Sequence, residues 1–119
     1  MTSQRIWGWH LSCDCKSGND NTRNPEMIEK FGHEMVSAID MIEYGKPDIV
    51  HFGKDDKTGY TWSQLLTTSN SCCHFCDDTG DFYFDVFTCK PFVPETVREL
   101  IIKYFDPIHI ESRFVERKV

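Results

Sequence analysis

Apolar residues recur at three- and four-residue steps after position 24, which predicts an amphipathic helix. Asn24 has the side chain of a helix cap, and Pro25 fits the first helical position. Gly45 and Pro47 end the pattern. The apolar stripe consists of Met27, Ile28, Phe31, Met35, Ala38, Ile39 and Ile42.

A second helix is predicted over residues 94–105, and six shorter apolar stretches are predicted to be strands. Pro94 starts this helix, and Asp106-Pro107 stops it. The six strand stretches are separated by segments with Gly, Asp, Asn or Pro, among them "KDDKTG", "SN" and "DDTG". They cover residues 5–15, 47–53, 60–68, 71–76, 81–89 and 107–117.

The order β-α-β-β-β-β-α-β predicts an α+β fold, a two-layer sandwich in which two helices cover one face of a mainly antiparallel sheet. We expect a single domain over residues 1–119. The other face of the sheet must be polar or covered by a partner. The stretch "FYFDVF" at residues 82–87 is apolar on both faces, which favours a homodimer.

Composition and charge narrow the classes of function. The chain has 119 residues, of which 39% are hydrophobic, and a net charge of −6. This acidic balance disfavours nucleic-acid binding and anionic membranes. No apolar run is long enough for a membrane span or a signal peptide. We therefore expect a cytoplasmic protein whose 6 cysteines stay reduced.

The segment "TTSNSCCHFCDDTGDFYFDVFTCK" at residues 67–90 concentrates reactive side chains. Cys73 and Cys76 have the spacing of a zinc knuckle, with His74 between them. A second ligand pair of similar form does not follow, however, and a strand would turn Cys73 away from His74 and Cys76. We therefore do not expect a metal.

Two other kinds of chemistry are compatible with the same segment. Cys89 could act as a nucleophile with His74 as its base, although a free cysteine is often a small buried hydrophobe. Ser69 lies in the hydroxyl-rich run "TTSNS". A serine on a tight turn can attack the preceding carbonyl carbon, although most such serines are ordinary turn residues. These residue types alone leave the alternatives open.

The whole pattern resembles the short bacterial and archaeal type of S-adenosylmethionine decarboxylase, a pyruvoyl-dependent enzyme. The family's opening Gly-x-His-Leu and following Asp match "GWHLSCD" at residues 8–14. Its cleavage serine, the histidine five residues on, and the ending Val-Phe-Thr-Cys match Ser69, His74 and "FDVFTC" at residues 84–89. The resemblance covers about residues 5–116.

The resemblance implies that the chain cuts itself between Thr68 and Ser69. The Ser69 hydroxyl attacks the Thr68 carbonyl and forms an ester, elimination leaves dehydroalanine, and hydrolysis of its imine tautomer yields a pyruvoyl group. His74 is the implied base for that elimination. Thr61, eight residues before the serine, corresponds to a family hydroxyl that helps to hold the shifted carbonyl.

The resemblance also implies how the cleaved protein works, as a homodimer of units that each contain residues 1–68 and 69–119. The pyruvoyl ketone forms a Schiff base with the substrate, S-adenosylmethionine, and Cys89 protonates the carbanion left by CO2. Asp78 matches the acid that binds the ribose hydroxyls, and Phe52 lies near an aromatic that stacks on the substrate.

The chain departs from the family pattern at several positions of the implied pocket. Thr68 replaces Glu, Asn70 replaces His, Cys76 replaces an aromatic residue, and Asp78 is one methylene shorter than the family's Glu. Related pyruvoyl enzymes use arginine or ornithine, which need no ribose-binding acid. The alternative functions are therefore a decarboxylase of arginine or ornithine and an uncleaved homologue that acts as a partner or regulator.

Overall fold

The computed structural model describes residues 5–118, which form one six-stranded sheet and two α-helices. The elements follow in the predicted order: β1 Ile6–Lys16, α1 Pro25–Ala38, β2 Asp48–Phe52, β3 Gly59–Leu66, β4 Ser69–Phe75, β5 Phe82–Thr88, α2 Pro94–Phe105 and β6 His109–Lys118. Short 3₁₀ turns lie at Asp20–Arg23 and Asp55–Lys57. Within these residues, neither helix is long and apolar enough to cross a membrane.

The strands lie in the order β2-β3-β4-β5-β1-β6, and every neighbouring pair is antiparallel. β4 pairs with β3 and β5 and therefore lies between them, and β1 pairs with β5 on its other side. Both helices contribute to the buried core against one face of the sheet. The predicted two-layer α+β sandwich is confirmed.

The start of α1 is as predicted, and its end is not. The Asn24 side chain accepts hydrogen bonds from the backbone N–H groups of Glu26 and Met27, which caps the helix. The helix ends at Ala38, and Asp40 takes a left-handed φ of 58°. The expected apolar stripe is therefore wrong at Ile42, which is 70% exposed.

The core is built around Phe31 of α1, whose ring makes edge contacts with four other aromatic rings. These rings belong to Trp62, Phe84, Tyr104 and Phe105. Gly32 lets α1 approach the sheet, because a Cβ there would lie 2.6 Å from the Trp62 ring. Burying each such aromatic side chain stabilises the fold by about 2 kcal/mol.

The turn before β4 lies two residues earlier than predicted. We expected the turn at residues 69–70, but Ser69 is already paired with Leu66 in the ladder between β3 and β4. The connecting residues are Thr67 and Thr68, and Thr68 has a φ of 60°. Neither threonine is a typical turn residue, which is why the sequence placed the turn at the Ser-Asn pair.

Candidate active site

Ser69, Thr68 and Cys89 meet at the hairpin end of β4. The Ser69 Oγ accepts a hydrogen bond of 2.9 Å from the backbone N–H of Cys89. The Thr68 Oγ1 lies 2.7 Å from the Cys89 Sγ and 2.6 Å from the Thr67 carbonyl oxygen. Because β5 runs alongside β4, its end brings Cys89 next to the predicted cleavage bond.

Thr68 is held in a conformation that its side chain disfavours. Its φ of 60° lies in the left-handed region, where a β-branched residue is an outlier. Such a backbone conformation costs about 1–3 kcal/mol, and the surrounding structure must hold it in place. The strained residue therefore carries the carbonyl group that Ser69 would attack.

The environment of Cys89 lowers the pKa of its thiol below the ordinary value of 9.0. The main cause is the hydrogen bond from the Thr68 hydroxyl, which stabilises the thiolate. Burial acts in the opposite direction, and the Ser69 hydroxyl and the Lys90 charge add smaller lowering effects. Cys89 is thus a stronger acid than an ordinary thiol.

The pKa values of the other cysteines are raised instead of lowered. Burial raises the pKa of Cys13 to about 11 and that of Cys15 to about 12, and it raises the pKa of the buried Cys73 well above its ordinary value. These thiols pack in the core. Within residues 5–118, no group of three His, Cys, Asp or Glu side chains is placed to hold a metal ion.

His74 and Thr61 form a second cluster near the other end of β4. The two residues are register partners between β4 and β3, and the His74 Nδ1 lies 3.1 Å from the Thr61 Oγ1. His74 is exposed on the sheet face opposite the helices, whereas its neighbours Cys73 and Phe75 are buried. The alternation along β4 therefore turns the imidazole away from the core.

A cavity of about 590 Å³ opens beside His74 and Thr61. Phe52 and Cys76 line it, as do several residues that the sequence analysis did not single out: Asp56, Lys57, Thr79, Asp81 and Tyr83. Asp56 lies in the loop between β2 and β3, and Asp81 lies just before β5. Their position in or beside turns that contain Gly was the only sequence signal for them.

Gly59 keeps one wall of this cavity open. A Cβ at this position would lie 1.8 Å from the Phe75 carbonyl oxygen, so β3 and the end of β4 can approach only without a side chain there. Asp78, the predicted ribose-binding acid, lies in the turn that follows β4. The carboxylates on the cavity wall are those of Asp56 and Asp81.

The structure separates the two clusters within one chain. Ser69 and His74 are five positions apart on the same strand, which corresponds to about 16 Å at the rise of an extended chain. An odd number of steps also directs their side chains to opposite faces of the sheet. Ser69, Thr68 and Cys89 are brought together, as are His74, Thr61 and Phe52, but His74 does not reach Ser69.

His10, from the "GWHL" segment, lies on the same open face of the sheet as His74. Its Nε2 lies 3.0 Å from the Asp85 Oδ1. Asn70, Cys72 and these two residues line a second cavity of about 330 Å³. The open face thus carries ionisable groups as well as apolar ones.

The fold of the chain is similar to that of a solved enzyme structure. The crystal structure of the adenosylmethionine decarboxylase from Aquifex aeolicus superposes with a TM-score of 0.81. The match covers 97% of this chain and 93% of that chain at 21% sequence identity, so the likeness establishes the fold alone.

The sequence of the chain matches the profile of a known family. No curated protein sequence was found to be similar. The profile of the family described as S-adenosylmethionine decarboxylase matches residues 9–118. This match spans nearly the whole chain, including both clusters of the candidate site. The chain therefore belongs to the S-adenosylmethionine decarboxylase family.

Proposed function

We propose that the chain is a self-processing, pyruvoyl-dependent decarboxylase of S-adenosylmethionine that supplies the aminopropyl donor for polyamine biosynthesis. The observation that carries the proposal is the hairpin end of β4, where a strained Thr68 precedes Ser69 and both contact Cys89. Family membership supports the overall reaction.

Self-cleavage begins at the Thr68–Ser69 bond. The Ser69 oxygen attacks the Thr68 carbonyl carbon, and the acyl group moves from nitrogen to oxygen. Elimination then releases residues 1–68 with a carboxylate end, and the dehydroalanine at position 69 takes up water and releases ammonia to become a pyruvoyl group. The left-handed backbone of Thr68 favours this reaction, because breaking the bond releases its strain.

The pyruvoyl group supplies an electron-accepting carbonyl that holds the substrate's amine and takes up the electrons released as CO2 leaves. Cys89 is the proposed proton donor to the carbon that loses CO2. A thiol can give up its proton near neutral pH, and the lowered pKa of Cys89 in the uncleaved chain acts in the same direction. After cleavage, Cys89 stays next to position 69 because β5 and β4 remain paired.

His74 and Thr61 are proposed to act across a homodimer. Since His74 lies about 16 Å from Ser69 along β4 and Thr61 pairs with His74 from β3, both can assist cleavage only from a second copy. If two copies meet through their open faces with antiparallel β4 strands, the His74 imidazole of each faces the turn of Thr67 and Thr68 of the other. This turn is exposed at the end of the strands, so the imidazole can approach the Thr68 carbonyl although the Ser69 side chain belongs to the opposite face. Exposed apolar side chains on that face support this arrangement, namely Trp7, Val50, Phe52, Leu65, Tyr83 and Val115.

The cavity beside His74 is the proposed substrate pocket. The carboxylates of Asp56 and Asp81 outnumber the one lysine on its wall, Lys57, and the ring of Phe52 can lie against a cation. S-adenosylmethionine carries a sulfonium and an ammonium group, which both suit such a pocket. Asp78, in the turn that follows β4, is proposed to bind the ribose hydroxyls.

Intact mass measurement tests the proposal directly. An active protein is expected as two fragments, residues 1–68 and 69–119, and the second fragment lacks an amino terminus. Ser69→Ala is expected to remain a single species of 13.9 kDa. A wild-type chain that never cleaves would overturn both decarboxylase functions and favour the uncleaved regulator.

The substrate is tested on the cleaved protein. Release of labelled CO2 is compared among S-adenosylmethionine, arginine and ornithine at equal concentrations. We expect release from S-adenosylmethionine, since the pocket holds both an aromatic ring and carboxylates. Release from arginine or ornithine alone would replace the proposed substrate and keep the pyruvoyl chemistry.

A further inference from the structure

The segment between α1 and β2 is hydrogen-bonded to the turn at the proposed cleavage site and to the strand before it. This segment, residues 40–45, is called the strap here. The Thr67 N–H donates to the Ile42 carbonyl at 2.9 Å, and the Tyr44 N–H donates to the Leu65 carbonyl at 2.9 Å. The strap therefore continues the sheet along the half of β3 that β2 does not cover.

The strap also packs around the cleavage site itself. Met41 and Ile42 face Thr68 and Cys89 across a small cavity of about 180 Å³. On the same side, the Lys90 Nζ lies 3.0 Å from the Asp40 Oδ2. Backbone bonds and an ion pair thus hold the strap to both chain segments that meet at Ser69.

His33 of α1 is hydrogen-bonded to the strap through Glu43. Its Nδ1 lies 2.7 Å from the Glu43 Oε2 of the strap, and its Nε2 lies 3.1 Å from the Glu29 Oε2 of its own helix. A carboxylate only accepts hydrogen bonds, so both ring nitrogens must carry a proton for both contacts to form. The geometry therefore fits the charged imidazolium.

We propose that His33 is a positioning residue for self-cleavage, which in its protonated form locks the strap and so keeps Thr68 in its left-handed conformation. The inference rests on the proposed function, because it concerns the rate at which the Thr68–Ser69 bond breaks. The path of the effect runs from His33 to Glu43, from there to the backbone of Ile42, and from Ile42 to Thr67.

The pH dependence follows from the groups that face His33. These are Glu43 from the strap and Glu29 from α1, and their hydrogen bonds raise the pKa of His33 above its ordinary value of 6.5. A raised pKa means that the contact stabilises the folded strap fully below pH 6.5 and is lost as the pH rises through the folded value. Cleavage should therefore slow toward alkaline pH through His33.

The first test does not depend on cleavage. In the uncleaved Ser69→Ala chain, hydrogen exchange of the Thr67 and Tyr44 amides reports how often the strap opens. His33→Gln and Glu43→Gln are expected to speed this exchange about threefold at pH 6, as for the loss of an exposed ion pair. Glu95→Gln is the matched control, since it breaks an exposed pair with Arg98 on α2, outside the strap.

The second test follows cleavage itself. The wild-type cleavage rate is expected to fall with rising pH, and in His33→Gln this component of the pH profile should be absent. Glu29→Gln keeps the contact to Glu43 and should retain the profile, displaced toward lower pH. A structural role for His33 alone would lower the rate equally at every pH.

The two proposals fail separately. A wild-type chain that never cleaves overturns the proposed function, and with it the role of His33 in processing. If the Thr67 amide exchanges at the same rate in Glu43→Gln and Glu95→Gln, His33 does not hold the strap through Glu43, whether or not the chain cleaves. Identical pH profiles for wild type and His33→Gln overturn this role of His33 as well.

Discussion

The two ends of β4 carry the residues that mark the family, yet they offer opposite environments. At the Ser69 end, a tight two-residue turn holds Thr68 in a left-handed conformation next to the strap and Cys89. At the His74 end, a longer turn leaves a cavity of about 590 Å³ with carboxylates on its wall. The first end is suited to breaking a bond, and the second is suited to holding a charged ligand.

The length of the connections explains the difference. Two residues join β3 to β4, so little room remains between the strands at that end. Residues 76–81 join β4 to β5, and their backbone folds back against Gly18 through a bond of 2.8 Å from the Gly18 N–H to the Gly80 carbonyl. One strand thus presents two half-sites, which the proposed homodimer would combine into one complete site.

Mixing two defective chains gives the largest expected effect. Ser69→Ala and His74→Ala are each expected to be nearly inactive, because one lacks the pyruvoyl precursor and the other lacks the base. Co-expression should restore activity to about a quarter of the wild-type value, since half of the dimers are mixed and each has one intact site. Activity is measured as labelled CO2 release.

Co-expression of Ser69→Ala with Cys89→Ala is the control for that experiment. Both residues belong to the same end of β4, but a mixed dimer has no site in which both are intact. We expect no recovery from this pair. Recovery there, or none from the first pair, would contradict the sharing of half-sites between copies.

Cys89→Ala separates turnover from processing at the Ser69 end. The variant should still cleave, because Ser69 and Thr68 are intact, while kcat falls about 100-fold or more with the loss of the proton donor. Intact mass and CO2 release are measured on the same sample. Cys72→Ala is a matched control, and full activity in Cys89→Ala would refute the proton-donor role.

Phe52→Leu addresses the cavity at the His74 end. Loss of the ring should raise KM for S-adenosylmethionine about threefold, which is the size of an exposed cation–π contact, and should leave cleavage unchanged. Val50→Leu, on the same face of β2, is the control. A slower cleavage with unchanged KM would show that Phe52 acts in self-cleavage and not in substrate binding.

Thr68→Val gives the smallest change, a shift in the titration of one thiol. Valine keeps the branched side chain and removes the hydroxyl that stabilises the Cys89 thiolate, so the pKa of Cys89 should rise. Alkylation of Cys89 in the Ser69→Ala chain should then need a higher pH. Thr67→Val is the control. An unchanged alkylation profile in Thr68→Val would show that the Thr68 hydroxyl does not lower the pKa of Cys89.

Local signals predicted most of the fold. Asn24 and Pro25 start α1 as expected, and Pro94 and Asp106 bound α2, because caps and proline geometry act within a few residues. The sequence predicted too late an end for α1, since Ile42 continues the three- and four-residue spacing of apolar residues along the helix. In the structure, Asp40 leaves the helix there and the strap pairs with β3 instead.

The sequence by itself determined the order of elements, the sheet-and-helix architecture and, through the spacing of Ser69, His74 and "FDVFTC", the family. These depend on periodicity and on short motifs, which are local properties of a chain. The tertiary structure alone decided that His74 lies apart from Ser69, that Asp56 and Asp81 line the cavity, and that His33 anchors the strap. Such relations depend on which strands pair and which loops meet, and distant contacts of this kind leave no periodic trace in one sequence.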